Sequence, residues 1–216
     1  MHAIEGHPGP AQSLDAFVEA QRAGEQPGPA FHCESARLLR IDLDGEVWLK
    51  PGAALAYRGD VAFERRPTLE ATDPLDAVLR EVAPLVRAHG ANRLYCGSHG
   101  SHVRLVRLEG QSLVVAWSEL LAFESRLAFA PELVAHGVSV AAGGLAVVRI
   151  SGEGVIALAT HGQPIAFEVT PDSPLNTDPH ATLAWSVSLS PTLKTELTWR
   201  SLVGHGGHEP FQMHFA

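Results

Sequence analysis

Histidines are concentrated at the end of this 216-residue chain, in the stretch GHGGHEPFQMHFA at residues 204–216. His205, His208 and His214 lie within ten residues of one another, and Glu209 adds a carboxylate. Zinc and other transition metals accept imidazole nitrogens and carboxylate oxygens that converge at about 2.0–2.2 Å. One interpretation is therefore a transition-metal site, with zinc as the first candidate, built from these four residues.

The same stretch also fits the polar end of a β-sheet protein. A loop His-x-x-His lacks the helical register that places two ligands on one face, and Gly206 and Gly207 leave that loop flexible. Apolar residues at 211, 213 and 215 alternate with polar ones, which predicts an amphipathic last strand. His214 would then point away from the apolar face. We expect the three imidazoles not to converge, and we predict no cofactor.

Other chemically suggestive residues have simpler explanations. His99 and His102 are seven or more residues from any carboxylate and fit a hairpin loop. Asp178 and His180 are surrounded by hydroxyl groups, but Asp178-Pro179 is typical of a tight turn before a strand. No serine stands in a Gly-x-Ser-x-Gly elbow, and the glycines near residue 152 match no phosphate-binding loop. We predict no catalytic residues and favour a protein that is not an enzyme.

The composition excludes several classes of partner. A net charge of −8 and a pI near 5.8 argue against nucleic-acid binding, which needs clustered lysine and arginine. The first ten residues do not resemble a signal peptide, and no apolar stretch approaches the about 18–20 residues of a membrane span. The two cysteines match neither a disulfide scaffold nor a zinc finger. We therefore expect a cytoplasmic protein, with peripheral membrane association left open.

Alternating apolar and polar residues mark three stretches as β-hairpins. Their predicted turns are Asp44-Gly45 in LLRIDLDGEVWLK, Glu109-Gly110 in VRLVRLEGQSLVV and His161-Gly162 in VIALATHGQPIAFEV. Three stretches of one pattern indicate an internal repeat.

A short motif recurs beyond each of these stretches. It consists of leucine, alanine and an aromatic residue: Leu55-Ala56-Tyr57, Leu121-Ala122-Phe123 and Leu183-Ala184-Trp185. The first copy follows Pro51-Gly52 and the third follows Asp178-Pro179. A unit of short antiparallel strands cannot bury its apolar face alone, so similar units are expected to pack around a common axis. We predict a mainly β fold of tandem β-sandwich lobes in a pseudo-threefold arrangement.

Two helices interrupt the strand pattern. The first is expected from Ser13 to Gly24, within an extension and linker formed by residues 1–30. The second is a helical insertion near residues 73–89, capped by Asp73, bent or split at Pro84 and stopped by Gly90. Both should cap open sheet ends. The remaining residues, 31–216, are predicted to form a single β domain with lobes at about 31–92, 93–142 and 143–216.

The motifs together resemble a known family. LDGEVWLKPGAALAYRGDVAFE, LLAFE, GGLAVVRISGEGVIALATHGQPIAFEV and NTDPHATLAWSVSL are similar, in this order, to the altered-inheritance-of-mitochondria protein 24 family, or domain of unknown function 124. The resemblance covers about residues 36–215. It implies a double-stranded β-helix-like fold similar to that of the tryptophan RNA-binding attenuation protein, and an association of mitochondrial relatives with inner-membrane organisation.

The leading functional hypothesis is a non-enzymatic scaffold or interaction protein. It would associate with itself as a homo-oligomer, or with other proteins, through sheet edges or aromatic faces. A metal-binding protein or metal-dependent enzyme using the carboxyl-terminal histidines is the alternative from a different class. A small-ligand sensor that binds between lobes is a third.

Overall fold

The computed structural model describes residues 11–24, 28–65, 74–134, 145–195 and 211–216. Most of these residues form antiparallel strands, so the mainly β prediction is confirmed. The helices are α1 (Leu14–Ala20) and α2 (Pro74–Val82), with a 3-10 turn at Trp117–Glu119. The strands are β1 (Phe31–Ser35), β2 (Leu38–Leu49), β3 (Ala54–Tyr57), β4 (Asp60–Arg65), β5 (Val86–Cys96), β6 (His102–Ala116), β7 (Leu120–Glu124), β8 (Ala128–Val134), β9 (Leu145–Thr160), β10 (Leu175–Thr177), β11 (Ala184–Ser186), β12 (Thr192–Thr195) and β13 (Phe211–Phe215).

Two long strand pairs form the frame of the molecule. β2 pairs with β5 over eleven successive residue pairs, and Gly45 stands opposite Gly90 in the middle of that ladder. Both glycines have positive φ, +106° and +134°. These backbone angles are open to glycine and costly for other residues, so the paired strands change direction here without losing register.

The second long pair has the same construction. β6 pairs with β9 from His102 opposite Thr160 to Ala116 opposite Val147, and the register shifts between Glu109 and Ser112. The extra residues of this bulge include Gly110, at φ +90°, and Gly152 on the facing strand has φ +115°. A bulge increases the local twist and bends the strand that carries it.

The predictions of hairpin turns at Asp44-Gly45 and Glu109-Gly110 are wrong. Both dipeptides lie inside the continuous strands β2 and β6. A glycine with positive φ serves a tight hairpin turn and a strand bend equally well, so the local sequence does not separate the two. Whether the glycine forms a turn or a bend depends on which strand pairs with the segment. Here β2 pairs with β5 and β6 pairs with β9, each of them distant in sequence. The chain does leave β9 after Thr160, near the predicted turn at His161-Gly162, but the residues that follow form no strand before residue 175.

The short strands complete the sheets in a regular way. β3 pairs with the carboxyl-terminal half of β5 and β4 with its amino-terminal half. β7 and β8 pair with the corresponding halves of β9. The main path of the ten-stranded sheet runs β11-β6-β9-β7-β2-β5-β3, with β1, β4 and β8 beside it, and β10-β13-β12 form a separate three-stranded sheet.

The helices are shorter than predicted. α2 ends at Val82, whereas the helical insertion was expected to extend to about residue 89; the chain is already in β5 from Val86. Pro84 explains the difference, because it lacks an N–H donor and disfavours a helical conformation of the residue before it. Gly90, predicted as the helix stop, lies inside a strand ladder. α1 is fully exposed, so the expectation that it caps a sheet is not met, whereas α2 contacts β8.

The buried apolar residues form three clusters. The first centres on β2, β5 and the alanines of β9, the second on β6, β7 and β9, and the third joins Trp185 with Met213 and Phe215. The boundaries of the three predicted lobes and their pseudo-threefold arrangement stay predictions, and β5 itself continues past residue 92.

A buried charge network fixes the approach of the amino-terminal segment. The side chain of Arg40 is only 3% exposed and lies 3.2 Å from carboxylate oxygens of both Glu34 and Asp42. Its Nη1 also donates to the carbonyl oxygen of Gly24, as does Nη1 of Arg93. Buried charges of this kind are tolerated only when paired, so the network holds residue 24 against β1 and β2.

We predict that Gly90→Ala destabilises the protein more than Gly45→Ala. A Cβ at residue 90 would lie 2.1 Å from the carbonyl oxygen of Asp60, whereas a Cβ at residue 45 would meet nothing within 4 Å. We expect a loss of more than about 2 kcal/mol for Gly90→Ala and about 1–2 kcal/mol, from backbone strain alone, for Gly45→Ala. Urea denaturation of both variants measures the difference, and equal losses would contradict the close-approach argument.

Candidate functional site

The predicted metal ligands are only partly placed. His214 lies on β13, whereas His205, His208 and Glu209 fall outside the described residues. Nδ1 of His214 lies 2.8 Å from Oδ1 of Asn176. Met213 and Phe215 are buried, at 0% and 3% exposure, whereas Gln212 and His214 are half-buried. The predicted amphipathic strand is therefore confirmed for residues 212–215. Within the described ranges, no three histidine, cysteine or carboxylate residues are placed to hold a metal ion.

We predict that the protein binds zinc at well below one ion per chain. The cross-strand neighbours of His214 are Asn176 on β10 and Thr192 on β12, and neither is a preferred zinc ligand. Elemental analysis of protein without a histidine tag tests this, together with melting temperatures with and without a chelator. His214→Ala serves as the matched variant. Stoichiometric zinc that is lost in this variant would contradict the prediction.

Of the remaining histidine and aspartate candidates, all but His102 lie in turns or loops. Oδ1 of Asp178 accepts a hydrogen bond of 2.8 Å from the backbone N–H of His180, and its carbonyl oxygen accepts from the hydroxyl of Thr182. The turn interpretation of Asp178-Pro179 is therefore confirmed. His99 has a φ of +41° in the loop before β6, and His102 is the first residue of that strand, opposite Thr160.

The two cysteines are unsuited to nucleophilic chemistry. Both are free thiols. Burial raises the pKa of Cys96 to about 12, and burial also raises the pKa of Cys33 despite the nearby Arg104. The thiolate is the reactive form, so at neutral pH Cys96 is held as an inert thiol.

We predict that iodoacetamide leaves Cys96 unmodified in the native protein at mildly alkaline pH. Cys33, which is only half-buried, should react slowly, and both cysteines should react fully in urea. Mass spectrometry of tryptic peptides measures the modification at each site. Rapid native modification of Cys96 would show that the strand β5 opens at its end.

The three leucine-alanine-aromatic motifs lie on short strands, except that Leu183 directly precedes β11, and their exposure differs widely. Leu121 and Phe123 on β7 are fully buried, and Trp185 on β11 is 7% exposed. On β3, by contrast, Leu55 is 61% exposed and Tyr57 is 54% exposed. β7 lies between β9 and β2, whereas β3 pairs only with β5 among the described strands. The exposed motif therefore marks an open sheet edge.

The tryptophans fill gaps between elements. Trp48 packs edge-on against Phe129 with ring centroids 5.1 Å apart, and Trp185 packs in the same way against Phe215 at 5.7 Å. The ammonium of Lys50 lies 5.7 Å from the ring centroid of Trp117. Trp199 lies outside the described residues. Trp48, Trp117 and Trp185 thus contribute to the packing of the apolar clusters.

An apolar cleft lies beside β11 and β13. It has a volume of about 460 Å³. Its wall combines β11 with residues 163–169, the chain that follows β9, and its apolar side chains are those of Leu113, Ile165, Phe167, Trp185, Leu189 and Phe215. Ile165 and Phe167 remain 77% and 62% exposed. We call residues 163–169 the tail segment.

A smaller polar pocket adjoins this cleft. It has a volume of about 200 Å³, shares Pro164, Ala181 and Leu183 with the apolar cleft, and is lined on its other side by Glu119, His161 and His180. The two adjoining pockets are together called the groove, and its titratable side chains line the smaller pocket. Pockets that combine an apolar wall with a few polar groups are the usual form of small-ligand sites.

The sequence did not point to the tail segment. Periodicity predicted it as the second strand of a hairpin that turns at His161-Gly162. One signal was present: Gly162-Gln163 repeats the Gly110-Gln111 of β6, which precedes a strand half that pairs with β11.

No helix within the described ranges has the length and apolar content that a bilayer crossing requires.

Comparisons with known proteins agree with this architecture. A crystal structure of a protein from Streptococcus pyogenes superposes with a TM-score of 0.62 at 17% identity, covering 86% of this chain and 90% of that one, which is a likeness of fold alone. The search of curated proteins gives no significant match. The family model described as Mitochondrial biogenesis AIM24 matches residues 31–216. The chain therefore belongs to the mitochondrial biogenesis AIM24 family.

Proposed function

We propose that this protein is a non-enzymatic interaction protein that associates with copies of itself. The observation that carries the proposal is the pair of exposed apolar surfaces: the edge at β3, with Leu55 and Tyr57, and the tail segment, with Ile165 and Phe167. Both surfaces present backbone groups that pair with no strand on their open side within the described ranges. Open edges with apolar side chains favour association with another chain.

The described side chains support this choice over an enzyme. Several of their charged groups are joined in surface ion pairs, such as Arg87 with Glu46 and Glu64 on neighbouring strands. The hydrogen bond from Arg87 holds the pKa of Glu64 below its usual value, so this carboxylate stays charged and is a poor proton donor or acceptor near neutral pH. The family is linked to mitochondrial biogenesis by its description. A cytoplasmic location and a three-lobed, pseudo-threefold chain remain part of the proposal.

Molar mass in solution tests the proposal. We expect light scattering after size exclusion to give a mass above the 23.1 kDa of one chain, rising with protein concentration. Phe167→Ser should lower the association constant at least about tenfold, because it removes an exposed aromatic anchor.

Leu105→Ser is the matched control for this experiment. Leu105 is 37% exposed on β6 and belongs neither to β3 nor to the residues that line the cleft, so its loss should leave the mass unchanged. High salt should not dissociate the assembly, because an apolar contact is not screened. A mass of one chain at every concentration, with no effect of Phe167→Ser, would exclude self-association.

A small-ligand sensor is a second candidate, and the groove beside β11 supports it. An amphiphile would place its apolar part against Trp185 and its polar part near Glu119, His161 and His180. The probe of choice is 1-anilinonaphthalene-8-sulfonate, whose emission rises in an apolar pocket. We expect saturable binding that Trp185→Leu weakens and Leu105→Ser does not. Unsaturable binding, equal in the three proteins, would count against a built pocket.

A further inference from the structure

The lining of the groove beside β11 divides by chemistry. Among the described residues, its titratable side chains are those of Glu119, His161 and His180, and all three line the smaller pocket. The cleft is lined mainly by apolar side chains, and its volume of about 460 Å³ lies within the range of about 300–1,000 Å³ that small-ligand sites occupy. A molecule that fills the groove therefore needs an apolar chain and a polar head group.

The tail segment is a loosely held wall of the cleft. Residues 163–169 belong to no strand and make no backbone hydrogen bond to another described residue. The chain is fastened on either side of them: the hydroxyl of Thr160 donates to the carbonyl oxygen of Gly162 at 2.9 Å, and Thr170 pairs with Ser173. A segment with few hydrogen bonds and exposed side chains moves at low cost in free energy. The tail segment can therefore adjust to an apolar chain that enters the cleft.

The carboxylate in the smaller pocket has a cationic neighbour. Nζ of Lys50 donates to the carbonyl oxygen of Ser118, the residue that precedes Glu119. Burial lowers the pKa of Lys50, and the negative charge of Glu119 partly offsets that change. An ammonium head group in this pocket would therefore compete with Lys50 for the Glu119 carboxylate.

An anionic head group is disfavoured for a different reason. It would lie beside the carboxylate of Glu119, and like charges at contact distance repel each other. The chain also has a net charge of −8, which lowers the concentration of anions near its surface. Charge complementarity therefore favours an uncharged ligand.

Groups that both donate and accept hydrogen bonds line the rest of the smaller pocket. His161 and His180 contribute imidazole nitrogens, and Gln163 contributes an amide that has both functions. A hydroxyl group also donates and accepts through the same atom. A hydroxylated head group can therefore match these partners and the Glu119 carboxylate without bringing a charge into the pocket.

We propose that the groove binds single-chain amphiphiles with an uncharged, hydroxylated head group. The apolar chain lies in the cleft against the tail segment and Trp185, and the head group lies beside Glu119, His161 and His180. This inference rests on the small-ligand candidate of the proposed function and names the class of ligand. Glu119, with Lys50 as its neighbour, is the residue that selects the head group.

Three amphiphiles with the same chain test the choice of head group. Octyl glucoside, octanoate and octylammonium are titrated by isothermal calorimetry below the concentrations at which they form micelles. The titrations are done at pH 7.5, which lies above the usual pKa of an imidazole. We expect one molecule of octyl glucoside to bind per chain, and the two charged compounds to bind at least roughly fivefold more weakly.

Substitutions assign the binding to the groove. Glu119→Gln keeps a hydrogen-bond acceptor and removes the charge, so octanoate should bind roughly fivefold more tightly while octyl glucoside changes less than about twofold. Phe167→Ser and Trp185→Leu remove parts of the apolar wall and should weaken octyl glucoside binding, about tenfold for Phe167→Ser. Leu105→Ser is the matched control and should leave it unchanged. If circular dichroism shows that Trp185→Leu is misfolded, Phe167→Ser decides, because its side chain is 62% exposed.

The outcomes separate this inference from the proposed function. If 1-anilinonaphthalene-8-sulfonate binds saturably but the three octyl compounds bind equally, the groove is a ligand site and the choice of head group is wrong. If octanoate binds best, or if Glu119→Gln leaves its affinity unchanged, the role of Glu119 is wrong. If no compound, the naphthalene probe included, binds saturably, the small-ligand candidate and this inference fail together. Self-association is measured separately by molar mass and does not depend on these results.

Discussion

The pairing of long bent strands is the constraint on which the rest of the structure depends. β2 with β5, and β6 with β9, each run through a glycine bend, so one strand takes part in two differently oriented parts of the sheet. Each half of a bent strand offers its own edge. β3 and β7 add to one half, and β4 and β8 to the other. Without the positive φ values at the bends, the halves would continue straight and these short strands would have no place to pair.

This construction leaves some strand edges unpaired among the described residues. Among the described strands, β7 pairs on both sides, with β9 and β2, whereas β3 pairs on one side, with β5. Burial of Leu55, Tyr57, Ile165 and Phe167 would each contribute about 1.5–3 kcal/mol if complete. Association costs about 4–15 kcal/mol in lost freedom of motion. The summed contribution of the four side chains is comparable to this cost of association. We therefore expect a reversible contact whose extent depends on protein concentration, rather than a permanent one.

The remaining polar features serve the framework. Arg40, buried among Glu34, Asp42 and the carbonyl oxygen of Gly24, attaches the amino-terminal segment to the sheet. Surface pairs such as Arg87 with Glu64 connect neighbouring strands. Such exposed pairs contribute little each, so the apolar clusters carry the stability. The groove beside β11 is the feature that combines a sizeable apolar wall with polar groups at one end.

The mainly β fold class could be predicted from the sequence. The two candidate surfaces, at β3 and at residues 163–169, could not. Alternation around residues 38–50 and 103–115 identified strands correctly, because side-chain direction in a strand depends on local geometry alone. The same alternation predicted hairpins at Gly45 and Gly110, since a glycine bend looks identical in a turn and in a long strand. Pro84 marked where α2 would end, and the helical periodicity beyond it was misleading.

By itself, the sequence determined the strand character of β2 and β6 and the positions of the three motifs. Only the tertiary structure decided which of these motifs is buried. Leu121 and Leu55 occupy equivalent places in one motif, yet the first is fully buried and the second is 61% exposed. The physical reason is that burial of a sheet edge depends on a partner strand that is distant in the chain. No local pattern of side chains contains the position of that partner.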